Sequence, residues 1–196
     1  ATAIGLCAGT YTCVVTDANG CSVNSSVAIT EPAIISSIMS VTDVSCFGAN
    51  DGSINATTSA GVPPFQYSLG GGLSQTNGTF TGLTAGTYSV DVTDANGCMI
   101  FQTVVITEPP ALNITATVTD VSCFGMCDGS ASVSVAGGTP PYSYSWSNGQ
   151  TTATITNLCA GAYWVEIIDV NGCLTLFTVM VMEPDILSIS VTSTDE

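Results

Sequence analysis

Apolar and polar residues alternate with a period of two through much of the chain. Tyr88, Val90 and Val92 alternate with Thr87, Ser89, Asp91 and Thr93. Tyr142, Tyr144 and Trp146 alternate with Ser143, Ser145 and Ser147. Such alternation predicts antiparallel strands with one face buried and the other wet. Asn-Gly falls between two such runs and predicts a hairpin, because both residues tolerate positive φ. No helical period of useful length competes. Short strands with frequent turns predict an all-β chain of sandwich type.

The pattern repeats at a larger scale. Gly5-Leu6-Cys7-Ala8-Gly9-Thr10-Tyr11 returns as Gly82-Leu83-Thr84-Ala85-Gly86-Thr87-Tyr88 and as Asn157-Leu158-Cys159-Ala160-Gly161-Ala162-Tyr163. The turn Asp17-Ala18-Asn19-Gly20-Cys21 returns at Asp94 to Cys98 and Asp169 to Cys173, and Glu31-Pro32 at Glu108-Pro109 and Glu183-Pro184. The spacing predicts the end of one unit over 1–31 (two strands), complete sandwiches over 32–108 and 109–184, and the first strand of another over 185–196. A unit of about 76 residues is too long for a solenoid repeat and long enough for a small, lean domain. Because residue 1 falls inside a repeat and no leader precedes it, we expect a window from a longer secreted chain. The units are expected to follow one another as an extended string.

Composition narrows the function. The 196 residues hold 15 Asp and Glu and no Lys, Arg or His, for a net charge of −15. A chain without cations has nothing to neutralise phosphates, so nucleic acid and anionic membrane surfaces are poor partners. It also lacks the usual general base, the Schiff-base amine and the phosphate-clamping arginine, and Ser beside Asp alone makes no activated nucleophile. We therefore expect no enzyme. Hydrophobic content of 45% with 8% charge argues against disorder. No apolar run is long enough to span a membrane as a helix. Nine cysteines without a Cys-x-x-Cys pair or a His ligand point to an oxidising, extracellular setting rather than a zinc site.

Leu-x-Ala-Gly-x-Tyr, read at Leu83 to Tyr88 and Leu158 to Tyr163, resembles the tyrosine corner of immunoglobulin-like and fibronectin-like sandwiches. That makes Tyr11, Tyr88 and Tyr163 structural, with ligand stacking as the competing role. Val41-Thr42-Asp43-Val44-Ser45-Cys46-Phe47-Gly48 returns intact at Val118 to Gly125 and is followed by Pro63-Pro64 or Pro140-Pro141. With Asp-Ala-Asn-Gly-Cys and Ile-Thr-Glu-Pro, these residues resemble the SprB repeat of giant surface adhesins in gliding Bacteroidetes. The resemblance implies a secreted cell-surface adhesin, carried along the cell during gliding and exported by the type IX system.

The cysteines fall into equivalent sets. Cys127 and Cys159 occur together in one unit, and Asn50 and Thr84 replace them together in the other, which points to a bond between them. Cys7 matches Cys159, so its partner is expected upstream. Cys13 stands at an inward position and is expected to be a buried thiol. If Cys127 meets Cys159, their loops share one end of the sandwich and the Asn-Gly turn lies at the other. Cys123 and Cys173 are then about a strand length, roughly 20–30 Å, apart. A staggered bridge, Cys46 of one unit to Cys173 of the next, becomes available; Cys98 would take a partner upstream and Cys123 downstream, and Cys21, equivalent to Cys98 and Cys173, is a further disulfide candidate. The competing arrangement is one bridge inside each unit, Cys46–Cys98 and Cys123–Cys173. Both remain open.

Thirteen of the fifteen acids occupy repeat-equivalent positions, among them Asp17, Asp94 and Asp169; Glu31, Glu108 and Glu183; Asp43, Asp120 and Asp195; and Asp51 and Asp128. Asp185 and Glu196 stand alone. At the predicted junction Asp43, Asp51 and Glu108 face Asp169, with Asp120, Asp128 and Glu183 equivalent one unit on. Converging carboxylates without a cation suit Ca2+, which takes six to eight oxygens. Against this, Asp before Asn-Gly is a common turn former, and Glu before Pro is a common solvated linker residue.

The expected function is non-enzymatic: an extracellular stalk or filament whose partners are its own neighbouring repeats, with outward faces dominated by Thr and Ser. The alternative is a glycan-binding module. Trp164 follows inward Tyr163 and so faces out, where it can stack on a sugar ring; Phe65 is a further candidate, and Trp146 aligns with the core.

Overall fold

The structure is a computed structural model that describes residues 2–192; Asp195 and Glu196 lie outside the described residues. Fourteen strands and no helix are described. By internal contacts the chain divides into two compact units. The first holds residues up to Ser40 with Ile54–Phe80 and Tyr88–Val104; the second holds Val41–Ser53, Thr81–Thr87 and residues from Val105 on.

In the first unit β1 (Gly9–Thr16) and β2 (Ser22–Ile29) form a two-stranded antiparallel sheet across the Asn19-Gly20 turn. Its inward positions are open. Cys13, expected to be buried, is an exposed free thiol. The physical reason is plain: among the described residues this hairpin belongs to a sheet of two strands and packs no second sheet over Cys13.

The repeat at 32–108 supplies β3 (Ser36–Thr42), β4 (Gly52–Ala60), β5 (Gln66–Leu69), β6 (Thr79–Leu83), β7 (Gly86–Thr93) and β8 (Met99–Ile106). They form two three-stranded sheets, ordered β3-β4-β6 and β5-β7-β8. The last repeat copies this with β9 (Asn113–Thr119), β10 (Gly129–Ala136), β11 (Ser143–Trp146), β12 (Thr154–Leu158), β13 (Gly161–Ile168) and β14 (Leu174–Val181). Its sheets are ordered β12-β10-β9 and β11-β13-β14. A first, second and fourth strand in one sheet and a third, fifth and sixth in the other is the two-sheet arrangement of immunoglobulin-like sandwiches with one edge strand fewer. Residues 185–192 carry no strand, so the strand expected over 185–196 is not formed among the described residues.

The core of the last repeat lies between its sheets. Val121, Ala131, Val133, Ile155, Val165, Ile167 and Val179 pack around Trp146, whose indole N–H donates to the Thr152 carbonyl at 2.9 Å. The corresponding buried positions of the middle repeat include Ile54 and Ala56 where the last has Ala131 and Val133, and Leu69 stands where the last has Trp146. Across these positions the last repeat has one smaller side chain, Ala131, and two larger ones, Val133 and Trp146. Gly129 closes the end of this core: a Cβ there would stand 2.8 Å from Val181 Cγ1 and 3.0 Å from the Leu158 carbonyl.

Candidate functional site: a bridged junction

The Asp-x-Asn-Gly-Cys turn is built around its aspartate. Asp169 Oδ1 accepts from the N–H groups of Asn171 and Cys173, each at 2.9 Å, and Oδ2 accepts from Thr139 N–H at 2.8 Å. Asp169 is buried. Burial raises its pKa, but the N–H donors of Thr139, Cys173, Asn171 and Gly172 outweigh that and hold the carboxyl below the usual aspartate value. Asp94 makes the same bonds to Asn96, Cys98 and Val62, and Asp17 to Asn19 and Cys21. One side chain thus sets the backbone that presents the cysteine.

Three other carboxylates build the loop at the opposite end. Asp43 accepts from Thr107 N–H at 2.6 Å, Asp51 from Ser45 N–H at 3.0 Å and Glu108 from Gly48 N–H at 2.7 Å. Together they fasten the loop that carries Cys46. Asp120, Asp128 and Glu183 repeat this on Met182, Ser122 and Gly125, around Cys123. The hydrogen bonds lower the pKa values of Asp43 (from Thr107), Asp51 (from Ser45) and Asp128 (from Ser122).

These bonds give the acids of the calcium expectation backbone partners. Among the described residues no three acidic or cysteine side chains gather where a metal ion could sit. Asp43, Asp51, Glu108 and Asp169, and equally Asp120, Asp128 and Glu183, each spend a carboxylate oxygen on separate backbone amides. The residues present do not fit a Ca2+ joint: the charge is met by N–H dipoles, one carboxylate at a time.

Within the second compact unit the two loops meet. Cys46 bonds Cys173, 127 residues away, with Cα atoms 5.6 Å apart. Asn171 Nδ2 donates to the Ser45 carbonyl at 3.2 Å and to Thr139 Oγ1 at 3.2 Å, so the bridge has a polar neighbour of its own. A cleft of about 350 Å3 opens beside it, between Phe47, the linker at Pro109 and Pro110, and Leu174. Gly138 belongs to this wall and has φ +61°; a Cβ there would stand 2.6 Å from Leu112 Cδ2. The second bridge joins Cys127 to Cys159. Cys7, Cys21, Cys98 and Cys123 are free and exposed.

Tyr163 Oη donates to the Cys159 carbonyl at 3.1 Å, and Tyr11 Oη to the Cys7 carbonyl at 3.0 Å. Tyr88 occupies the matching place on β7. The tyrosine therefore ties down the corner that carries a cysteine in two of the three copies. Trp164 is 47% exposed on the outer face of β13. Phe65 is half-buried and Trp146 is core.

The outward faces differ from the Thr and Ser surface expected. Leu174, Leu176 and Met180 on β14 are exposed, as are Met99, Phe101 and Val105 on β8. Period-two alternation hides this stripe, because both faces of the last strand are apolar at alternate positions and only the fold tells which one is covered.

Residues 39–74 and 115–151 each match the SprB repeat. No curated protein is similar in sequence. Among solved structures, the chain resembles the N-terminal eight immunoglobulin domains of Down syndrome cell adhesion molecule, isoform 1.30.30. That match has 16% identity and a TM-score of 0.45, and covers 90% of this chain and 28% of that one. It also resembles the C-terminal 282-residue fragment of intimin, solved with the intimin-binding domain of its translocated receptor, at 14% identity and TM-score 0.36 over 72% of this chain and 64% of that one. An amphioxus IgVJ-C2 molecule matches at 15% identity and TM-score 0.31 over 74% and 95%.

Proposed function

We propose that this chain, which carries two SprB repeats, is a non-enzymatic, load-bearing stretch of an extracellular adhesin. The observation that carries the proposal is the Cys46–Cys173 bridge. It ties the base of one repeat to the turn at the top of the next, where a bridge within a repeat would only stabilise a single core. The acids serve this arrangement by holding the two cysteine loops. The work is mechanical: spanning distance, passing force through covalent clamps and resisting proteolysis, with no Lys or Arg to admit trypsin-like enzymes. Cys98 and Cys123 are the corresponding half-clamps toward neighbouring repeats. Export by the type IX system and a role in gliding extend the proposal on the strength of the repeat family.

Force spectroscopy tests it. With the bridge closed, the residues between Cys46 and Cys173 cannot extend when the termini are pulled. Reduction frees 127 residue spacings and lengthens the fully stretched chain by roughly 430 Å. An equal contour length before and after reduction sinks the mechanical proposal.

One observation favours a second activity, glycan binding. Trp164 lies across from Thr178 on β14, diagonal to exposed Leu176 and Met180, and offers an apolar stacking surface beside Glu166, which lies across from Leu176. On an immobilised polysaccharide array, Trp164→Ala is expected to remove binding; binding equal to that of the parent chain refutes the platform.

A further inference from the structure

One carboxylate of the last repeat stands apart from the rest. Asp120, Asp128, Asp169 and Glu183 each accept a backbone N–H. Glu166 is half-buried on β13 and accepts no hydrogen bond from the described residues. No ion pair can meet its charge within the chain, which has no Lys, Arg or His. Its equivalent in the middle repeat, Asp91, is occupied. Asp91 accepts from Gly71 N–H at 3.2 Å and from the hydroxyls of Ser68 at 3.3 Å and Ser89 at 3.2 Å.

The surroundings of Glu166 select a ligand. Val165 and Ile167 are fully buried, so Trp164 and Glu166 share the outer face of β13, about 7 Å apart along the strand. Ser147 flanks the indole: its N–H donates to the Trp164 carbonyl at 2.9 Å, and its Oγ accepts from Trp164 N–H at 3.3 Å. Ser145 lies across from Glu166 on β11, and Thr178 across from Trp164 on β14. Ser145, Ser147 and Thr178 are all exposed. An aromatic face with three hydroxyls and one unmet carboxylate around it complements a ligand with a flat C–H face, several hydroxyls and a positive charge. The net charge of −15 repels anionic polymers. A cation here is attracted by the indole as well as by the carboxylate. A lysine side chain would use those two and leave the hydroxyls idle, whereas a sugar ring engages all of them.

We propose that Trp164 and Glu166 form a binding site for an amino-sugar polymer, a chain of hexosamine units with free ammonium groups. The C–H face of one unit stacks on the indole, its ammonium group pairs with the Glu166 carboxylate, and its hydroxyls bond to Ser145, Ser147 and Thr178. The proposal rests on the stacking surface of Trp164 described above and adds the class of sugar. The site belongs to the last repeat: the middle repeat has Ser89 and the occupied Asp91 at these positions, and the first hairpin has Thr12 and Val14.

Calorimetric titration tests it. The full chain, with both bridges closed, is titrated in mildly acidic, low-salt buffer with a glucosamine hexamer. The N-acetylglucosamine hexamer, which keeps the rings and lacks the ammonium groups, is titrated alongside. We expect one site per chain, about tenfold tighter for glucosamine, with the difference shrinking in about 1 M salt. Glu166→Gln should lower the glucosamine affinity to that of the N-acetyl form and leave the latter unchanged, which also shows that the variant is folded. Trp164→Ala should remove binding of both, and the emission of buried Trp146 reports that its core is intact. Asp91→Asn should change neither. Equal affinities for the two hexamers, or a Glu166→Gln variant that binds glucosamine like the parent, overturns the amino-sugar class and leaves the Trp164 stacking surface standing. Hexalysine bound as tightly as the glucosamine hexamer also overturns it, in favour of a cationic peptide. Sugar binding that survives Trp164→Ala, or no binding of either hexamer, sinks the proposal and the stacking surface together.

Discussion

The hairpins β1–β2 and β13–β14 are copies of one design with opposite fates. Both pair eight residues on each strand in unbroken antiparallel register. Both have the tyrosine donating to the carbonyl of the corner cysteine and the aspartate collecting the amides of its turn. Yet Val15 is 61% exposed, and its equivalent Ile167 is fully buried. The difference is the sheet β12-β10-β9, which covers Ile167; among the described residues the β1–β2 sheet has no counterpart of it over Val15. Local chemistry is enough to specify the ladder and the turn; burial needs strands from the other half of the repeat. The alternating pattern marks which side a facing sheet will cover, and it reads the same where that sheet is lacking.

The sharpest way to break the comparison is to truncate both positions. Ile167→Ala should cost about 2–5 kcal/mol, the usual range for emptying a core site. Val15→Ala should stay within about 0.5 kcal/mol, as at other exposed positions. Hydrogen exchange of β13 and of β1, read separately, gives both values, and equal losses would mean that β1 is packed after all. Next in size is the Cys127–Cys159 bridge, which sets the last repeat apart from the middle one. Replacing Cys127 with Asn and Cys159 with Thr installs the middle repeat's residues. Opening a bridge that closes a 32-residue loop should cost the last repeat about 3–4 kcal/mol in denaturant, with the middle repeat unaffected.

The smallest effect separates the carboxylates. Asp43, Asp51, Asp128 and Asp169 all have folded pKa values below the ordinary 3.8. Between the folded value and 3.8 the unfolded chain binds more protons, so their contribution is complete above 3.8 and is lost as the pH falls through the folded value. Stability should therefore decline below about pH 4, and Asp169→Asn should flatten that decline. Urea midpoints measured from pH 6 to pH 2 check this, and an undiminished decline in Asp169→Asn would remove the turn from the account.

Strands, hairpin turns and the repeat itself were legible in the residues, because each is governed by neighbours close in sequence. Period-two alternation and Asn-Gly carry nearly all of that information. The matched presence and absence of Cys127 and Cys159 was legible too, since comparing copies within one chain exposes residues that change together. The work of the acids was not. Glu108 is 60 residues from Gly48 and Asp43 is 64 from Thr107, and nothing in composition tells a carboxylate that meets an amide from one that meets a metal. Reading their charge as unmet overlooked the backbone N–H groups of loops, which are as plentiful as the acids and carry no mark in the sequence.

What the sequence by itself determined was therefore the kind of element and the places where chemistry gathers: strands, turns, and ends rich in thiols and carboxylates. Which cysteine Cys46 bonds, and which apolar face of β14 is covered, the tertiary structure alone decided. The physical reason is range. A turn or a strand pair is chosen by residues a few positions apart, whereas a disulfide forms only between sulfurs brought within bonding distance, and Cys46 and Cys173 come that close through packing across 127 residues.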